Sequence, residues 1–202
     1  MTALPHILRC VESKGHAIFT TGVLNLNIVG VRSPVRVSDQ FDDRLYCVYK
    51  TANGEWVEHS WRITTDPGEH YLRHPMRSDG TAVLEPGQYR GAYVIGKHKG
   101  YPALRQDRPV NVRRDNNKNR ELDGGIVTVA PAGSRINIHA SDLDPFDSVD
   151  RERDSIGRWS AGCQVFARSP DYREFWHIVL QASKLWGGRF TYTLIDPEGC
   201  AP

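Results

Sequence analysis

The sequence predicts a mainly β fold, a sandwich or barrel with peripheral α-helices. Three observations predict it. Apolar residues recur with period two through the middle of the chain, Gly-, Pro- and Asn-rich turns separate these runs, and only one long helical pattern follows, near the end. Strands in succession with one late helix argue against the alternating βαβ units of a parallel sheet. No internal repeat or linker divides the chain, so residues 1–202 read as a single domain.

The elements follow in order. Leu4, Ile7, Leu8 and Val11 lie at helical spacing and predict a helix over residues 3–14, ended by Gly15. Val23, Leu24, Leu26, Ile28 and Val29 mark a strand. Residues 45–51 and 56–64 flank Asn53-Gly54, the dipeptide of two-residue type I′ turns, and predict a hairpin. Short strands are expected at 81–84, 91–95, 110–113, 126–129 and 135–139, most of them separated by turns such as Glu85-Pro86-Gly87, Gly96 to Gly100 and Pro131-Ala132-Gly133. Pro170 and Asp171 open a helix whose face is Phe175, Ile178, Val179, Ala182 and Leu185, with Gly187-Gly188 as its stop. A last strand runs over 190–195.

Composition narrows the function. The 202 residues are 39% hydrophobic and 25% charged, enough for a sizeable core. A net charge of +2 supplies no electrostatic reason for a nucleic-acid partner. No apolar run is long enough for a membrane span. Cys10, Cys47, Cys163 and Cys200 are too few and too dispersed for a disulfide scaffold and read as individual thiols. The first 22 residues lack the pattern of a secretory signal, which predicts synthesis in the cytoplasm.

The most informative segment is Trp159-Ser160-Ala161-Gly162-Cys163-Gln164. A cysteine that follows glycine in a tight turn has backbone N–H groups beside it, which favour a thiolate and can hold an oxyanion. His139 ends the run Arg135-Ile136-Asn137-Ile138-His139; in a strand, Ile136 and Ile138 face the core while Asn137 and His139 face a cleft or solvent. The histidine precedes the cysteine by 24 positions, room for a loop that returns the thiol to the imidazole. A thiol with a pKa of about 8.5 needs such a base at neutral pH.

This pattern, an apolar strand ending in histidine, a loop, then Ser-x-Gly-Cys, resembles the active-site signature of the L,D-transpeptidase catalytic domain family. The segment from Gly87 to Gly100, followed by 109–117, also looks similar to small phage-encoded or phage-like relatives. The resemblance implies a β-sandwich or barrel of the L,D-transpeptidase type. It implies Cys163 as nucleophile and His139 as base on peptidoglycan stem peptides, with Ser160 and Gly162 shaping the turn. It covers residues 80–169; residues 1–70 carry no assignable motif and 170–202 add the helix and strand. The chain departs from the family in Ala161, where histidine is usual, in Val165, where arginine or asparagine is frequent, and in the longer interval between histidine and cysteine.

The expected activity is acyl transfer through a Cys163 acyl-enzyme. Degradation, as an L,D-carboxypeptidase or endopeptidase of a lytic or antibacterial protein working on the cell wall, is favoured over cross-linking, on the lack of an export signal. The alternatives are a cross-linking or exchanging transpeptidase and a non-catalytic wall-binding module. Gln164, Trp159, Tyr93, His98 and Tyr101 are the expected substrate contacts. No cofactor and no metal is expected, and no delivery or immunity partner is identified.

Other features read as structural. The acidic run between Ser141 and Ser155 is a solvated loop or a lid over the cleft. His70 and His74 are spaced as a helical metal pair, but Asp66-Pro67-Gly68 and Pro75 oppose a helix. Arg113, Arg114, Lys118 and Arg120 form a polar hairpin end.

Overall fold

The computed structural model describes residues 3–35 and 38–198. In chain order the elements are α1 (His6–Ser13), β1 (Asn27–Val31), β2 (Asp43–Lys50), β3 (Trp56–Thr64), α2 (Glu69–Arg73), β4 (Thr81–Leu84), β5 (Gly87–His98), β6 (Tyr101–Gln106), β7 (Val110–Asp115), β8 (Ile126–Ala130), β9 (Ile138–Ala140), β10 (Gln164–Phe166), α3 (Ser169–Trp186) and β11 (Arg189–Ile195). Eight strands close into a barrel in the order β1-β11-β5-β6-β9-β10-β3-β2, and β4-β7-β8 form a separate three-stranded sheet. The mainly β architecture with few helices agrees with the pattern of the sequence, and no described helix is long and apolar enough to cross a membrane.

Closure removes the exposed sheet edges that a strand-rich chain must otherwise protect. Barrel residues such as Ile28, Leu45, Ile63, Tyr93, Leu104 and Tyr192 share one core with Ala82, Leu84, Val110 and Val112 of the small sheet. On the outside, α3 buries Tyr172, Phe175, Trp176, Ile178, Val179 and Ala182 in this core. Its boundaries match the expected start at Pro170 and stop at Gly187, whose φ of 78° is readily adopted by glycine. Helix α1 buries Ile7, Leu8, Cys10 and Val11 against Val29, Val48 and Ile195.

Local differences have local causes. The β2–β3 hairpin forms, but Thr51 and Glu55 close it around three residues, with Gly54 at φ 78° in the left-handed position, so Asn53-Gly54 does not make the expected two-residue turn. The two-residue turn occurs at Lys99-Gly100, both at positive φ, where His98 pairs with Tyr101. Strand β6 lies outside the expected set because Pro102, Arg105 and Gln106 interrupt its apolar pattern, yet Leu104 pairs with both Ile95 and Ile138. The strand expected at 135–139 is shorter and later, because Arg135 sits at φ 65° and breaks the extended run. A helix does form at α2, where Gly68 takes the N-cap position after Pro67.

Candidate active site

Cys163 and His139 come together because β9 and β10 are parallel neighbours, with Val165 opposite His139 and Gln164 opposite Ile138. The preceding turn delivers the sulfur to the strand end. Ser160 Oγ donates to the Cys163 carbonyl at 2.8 Å and accepts the Gly162 N–H at 3.2 Å, so one hydroxyl ties both ends of the turn. Gly162 lies at φ 118°, and a Cβ there would stand 2.4 Å from the Ala82 carbonyl oxygen. Ser160 and Gly162 therefore build the turn, and neither hydrogen-bonds to the imidazole.

Cys163 is only 6% exposed but lines a cavity of about 300 Å³, together with His98, Lys99, Trp159 and Ala161. Its thiol donates to the Arg135 carbonyl at 3.1 Å. Burial pushes the Cys163 pKa up to about 11, against the lowering by the Asn137 N–H and by Lys99. Desolvation outweighs the backbone groups that were expected to favour a thiolate, and the sulfur is held as a neutral thiol.

His139 is fully buried, not presented to solvent. Its Nδ1 lies 2.7 Å from the Ala140 carbonyl and 3.0 Å from Tyr101 Oη, while the Tyr101 hydroxyl donates to that same carbonyl at 3.3 Å. A carbonyl only accepts, so Nδ1 carries the ring proton and Nε2 keeps its lone pair. Nε2 is buried with no hydrogen-bond partner. Burial, together with the neighbouring His98, pushes the His139 pKa down to about 3, although the Ala140 hydrogen bond raises it.

The tautomer of His98 is set in the same way. Asn137 Oδ1 accepts the Gln106 N–H at 3.0 Å, which turns its Nδ2 to donate to His98 Nδ1 at 3.0 Å. The proton of His98 therefore sits on Nε2. Burial, then Lys99 and Arg135, lower its pKa to about 4. His98, His139 and Cys163 each offer one ligand atom, all within 4.8 Å of one another. Two imidazoles and a thiolate are a donor set that suits Zn²⁺.

The expected substrate contacts divide. Trp159 and His98 line the cavity. Tyr101 is buried and reaches His139 instead of the cavity. Gln164 lies in the interior, where its Nε2 donates to the Gly162 carbonyl and its Oε1 accepts the Tyr192 hydroxyl at 3.0 Å. Tyr93 is fully buried edge-on to Tyr192. Both are barrel residues because they alternate in phase with the core, so neither stands on the cavity wall.

Residues outside the expected site enter it. Arg77, Arg114, Arg135 and Arg158 join Lys99 around the cavity. Arg114 leaves the expected polar hairpin end because β7 alternation turns it toward Asp79 and Gly80, whereas Arg113 pairs with Glu85 on the other side. The acidic run is tied down by cations: Arg151 bridges Asp142 and Asp147, Arg173 pairs with Asp150, and Arg62 and Arg168 share Glu152. Cys47 is buried in the barrel and Cys10 on α1, while Cys200 lies outside the described residues.

The chain was compared with family models, with curated proteins and with solved structures, and none of the three comparisons gives a match.

Proposed function

We propose that the protein is a cysteine acyl transferase of the L,D-transpeptidase type acting on peptidoglycan stem peptides. The observation that carries the reading is a thiol on the cavity wall with a ligand nitrogen of the buried His139 imidazole within 4.8 Å of it, in a ring whose Nε2 is unprotonated and has no hydrogen-bond partner. Support comes from the order of histidine then cysteine, from the Ser-x-Gly-Cys turn and from the barrel that places them.

Because the resting pair is neutral, the proton moves as the bond forms. Substrate draws the thiol from the Arg135 carbonyl, His139 Nε2 takes its proton, and Sγ attacks the peptide carbonyl carbon. The Gly162 N–H is engaged by Ser160, so the Cys163 N–H is the amide left to meet the oxyanion. The C–N bond then breaks as the imidazolium returns the proton to the departing amine, leaving a thioester. Water, or a second amine, attacks the thioester while His139 takes its proton, and the C–S bond breaks to restore the thiol.

The test is to incubate the protein with defined tetrapeptides and cross-linked muropeptides and to measure product masses. Loss of the terminal residue or conversion of dimers to monomers is expected, and new dimers would instead show transfer to an amine. Products identical to those of Cys163→Ala would overturn the reading in favour of a binding module.

A further inference from the structure

The cavity that holds Cys163 is cationic. Arg77, Lys99, Arg114, Arg135 and Arg158 line it, and among the described residues no carboxylate does. One aspartate stands behind them: Asp79 accepts both Nε and Nη2 of Arg77, at 2.8 and 3.1 Å. Arg114 is left with the remainder. Its Nε lies 3.8 Å from Asp79 Oδ2, too far for a hydrogen bond, and is buried with no other acceptor, in a side chain only 10% exposed. Among the described residues no carboxylate lies within ion-pair distance of Lys99, Arg135 or Arg158. A guanidinium held dry with an unpartnered N–H is costly unless an anion completes it. Arg77, Lys99, Arg135 and Arg158 reach solvent, and charges of one sign around a concave wall reinforce one another's field.

Resting on the reading of Cys163 as the acyl acceptor, we propose that this cavity selects an acyl donor bearing a free carboxylate, which Arg114 and Arg158 receive while the carbonyl to be attacked sits at Cys163. The rest of the lining suits such a molecule. Tyr71, Met76 and Trp159 give an apolar surface for the aliphatic part of a peptide. The ring of Trp159 is itself backed by the Arg153 guanidinium, 5.4 Å from its centroid. The planar, five-donor head of arginine matches a carboxylate in a way that lysine does not.

The test uses two reagents that differ in charge. Alkylation of Cys163 by iodoacetate and by iodoacetamide is followed by peptide mass mapping, and the ratio of rates is divided by the same ratio for N-acetylcysteine. The normalised ratio is expected to be about tenfold above unity at low salt and to fall at high salt. Arg114→Gln should lower it several-fold. Because Arg114 is buried and its loss can weaken the fold, Arg158→Gln, at an exposed side chain, provides the second arm and should lower it as well. In parallel, stem tetrapeptides with free or amidated carboxylates are compared, with KM expected to be about tenfold higher for the amide. A normalised ratio of one, with equal KM values, would overturn the carboxylate subsite while leaving acyl transfer standing. Preference for iodoacetate with no turnover of any stem peptide would support the subsite and overturn the peptidoglycan reading.

Discussion

The imidazoles of His98 and His139 stack with centroids 4.0 Å apart and planes 12° from parallel. A proton on either ring repels one on the other, and burial disfavours both. The result is a base that is neutral across the physiological range, with its lone pair held ready.

That stack ties stability to pH. The folded His139 accepts a proton only near pH 3, whereas in the unfolded chain it does so near 6.5. Between these values the unfolded state binds more protons, so the stabilising contribution is present above about pH 6.5 and is lost as pH falls toward 3, at up to about 1.4 kcal/mol per pH unit. Urea denaturation at a series of pH values should give a slope smaller by about one proton in His139→Gln than in the parent. Equal slopes would show that the ring is not held neutral. His98 adds less, since solvent reaches part of it.

The neutral thiol has a kinetic signature. With the Cys163 pKa raised to about 11, the rate of iodoacetamide alkylation should climb close to tenfold per pH unit from neutrality to about pH 10. A plateau below pH 8 would reveal a thiolate–imidazolium pair instead.

Tyr101 is a positioning residue. Tyr101→Phe deletes the hydroxyl shared by His139 Nδ1 and the Ala140 carbonyl, at an expected stability cost of about 1 kcal/mol. Turnover of a stem peptide should fall about tenfold in kcat with KM unchanged, because the ring loses its orientation and the cavity does not change. An increase in KM alone would mean that Tyr101 contacts substrate.

Gly162→Ala introduces a Cβ 2.4 Å from the Ala82 carbonyl oxygen at a φ that strains any side chain. A loss of roughly 2–4 kcal/mol is expected from the unfolding midpoint, together with loss of Cys163 reactivity. Ser160→Ala should weaken the same turn by about 1 kcal/mol.

Much of this arrangement was legible in the sequence, for reasons that differ by residue. Cys163 and His139 stand out because a glycine turn and a strand end are local patterns. Helix α3 and strands β4 and β11 follow from periodicity and bounding turns. The cationic wall was not legible, because Arg77, Lys99, Arg114, Arg135 and Arg158 come from separate turns and strands and meet only after the small sheet packs on the barrel. Gln164 and Tyr93 were misplaced on the cavity wall because closeness in sequence to a site says nothing of which face of a strand a side chain occupies.

The turn at Lys99-Gly100 has an effect beyond joining β5 to β6. Its flanking residues, His98 and Tyr101, grip the His139 imidazole from two directions, one across the ring face and the other at Nδ1. The length of that connection is therefore a calibration of the base itself: one inserted residue would leave the barrel paired below it and put the two jaws out of step.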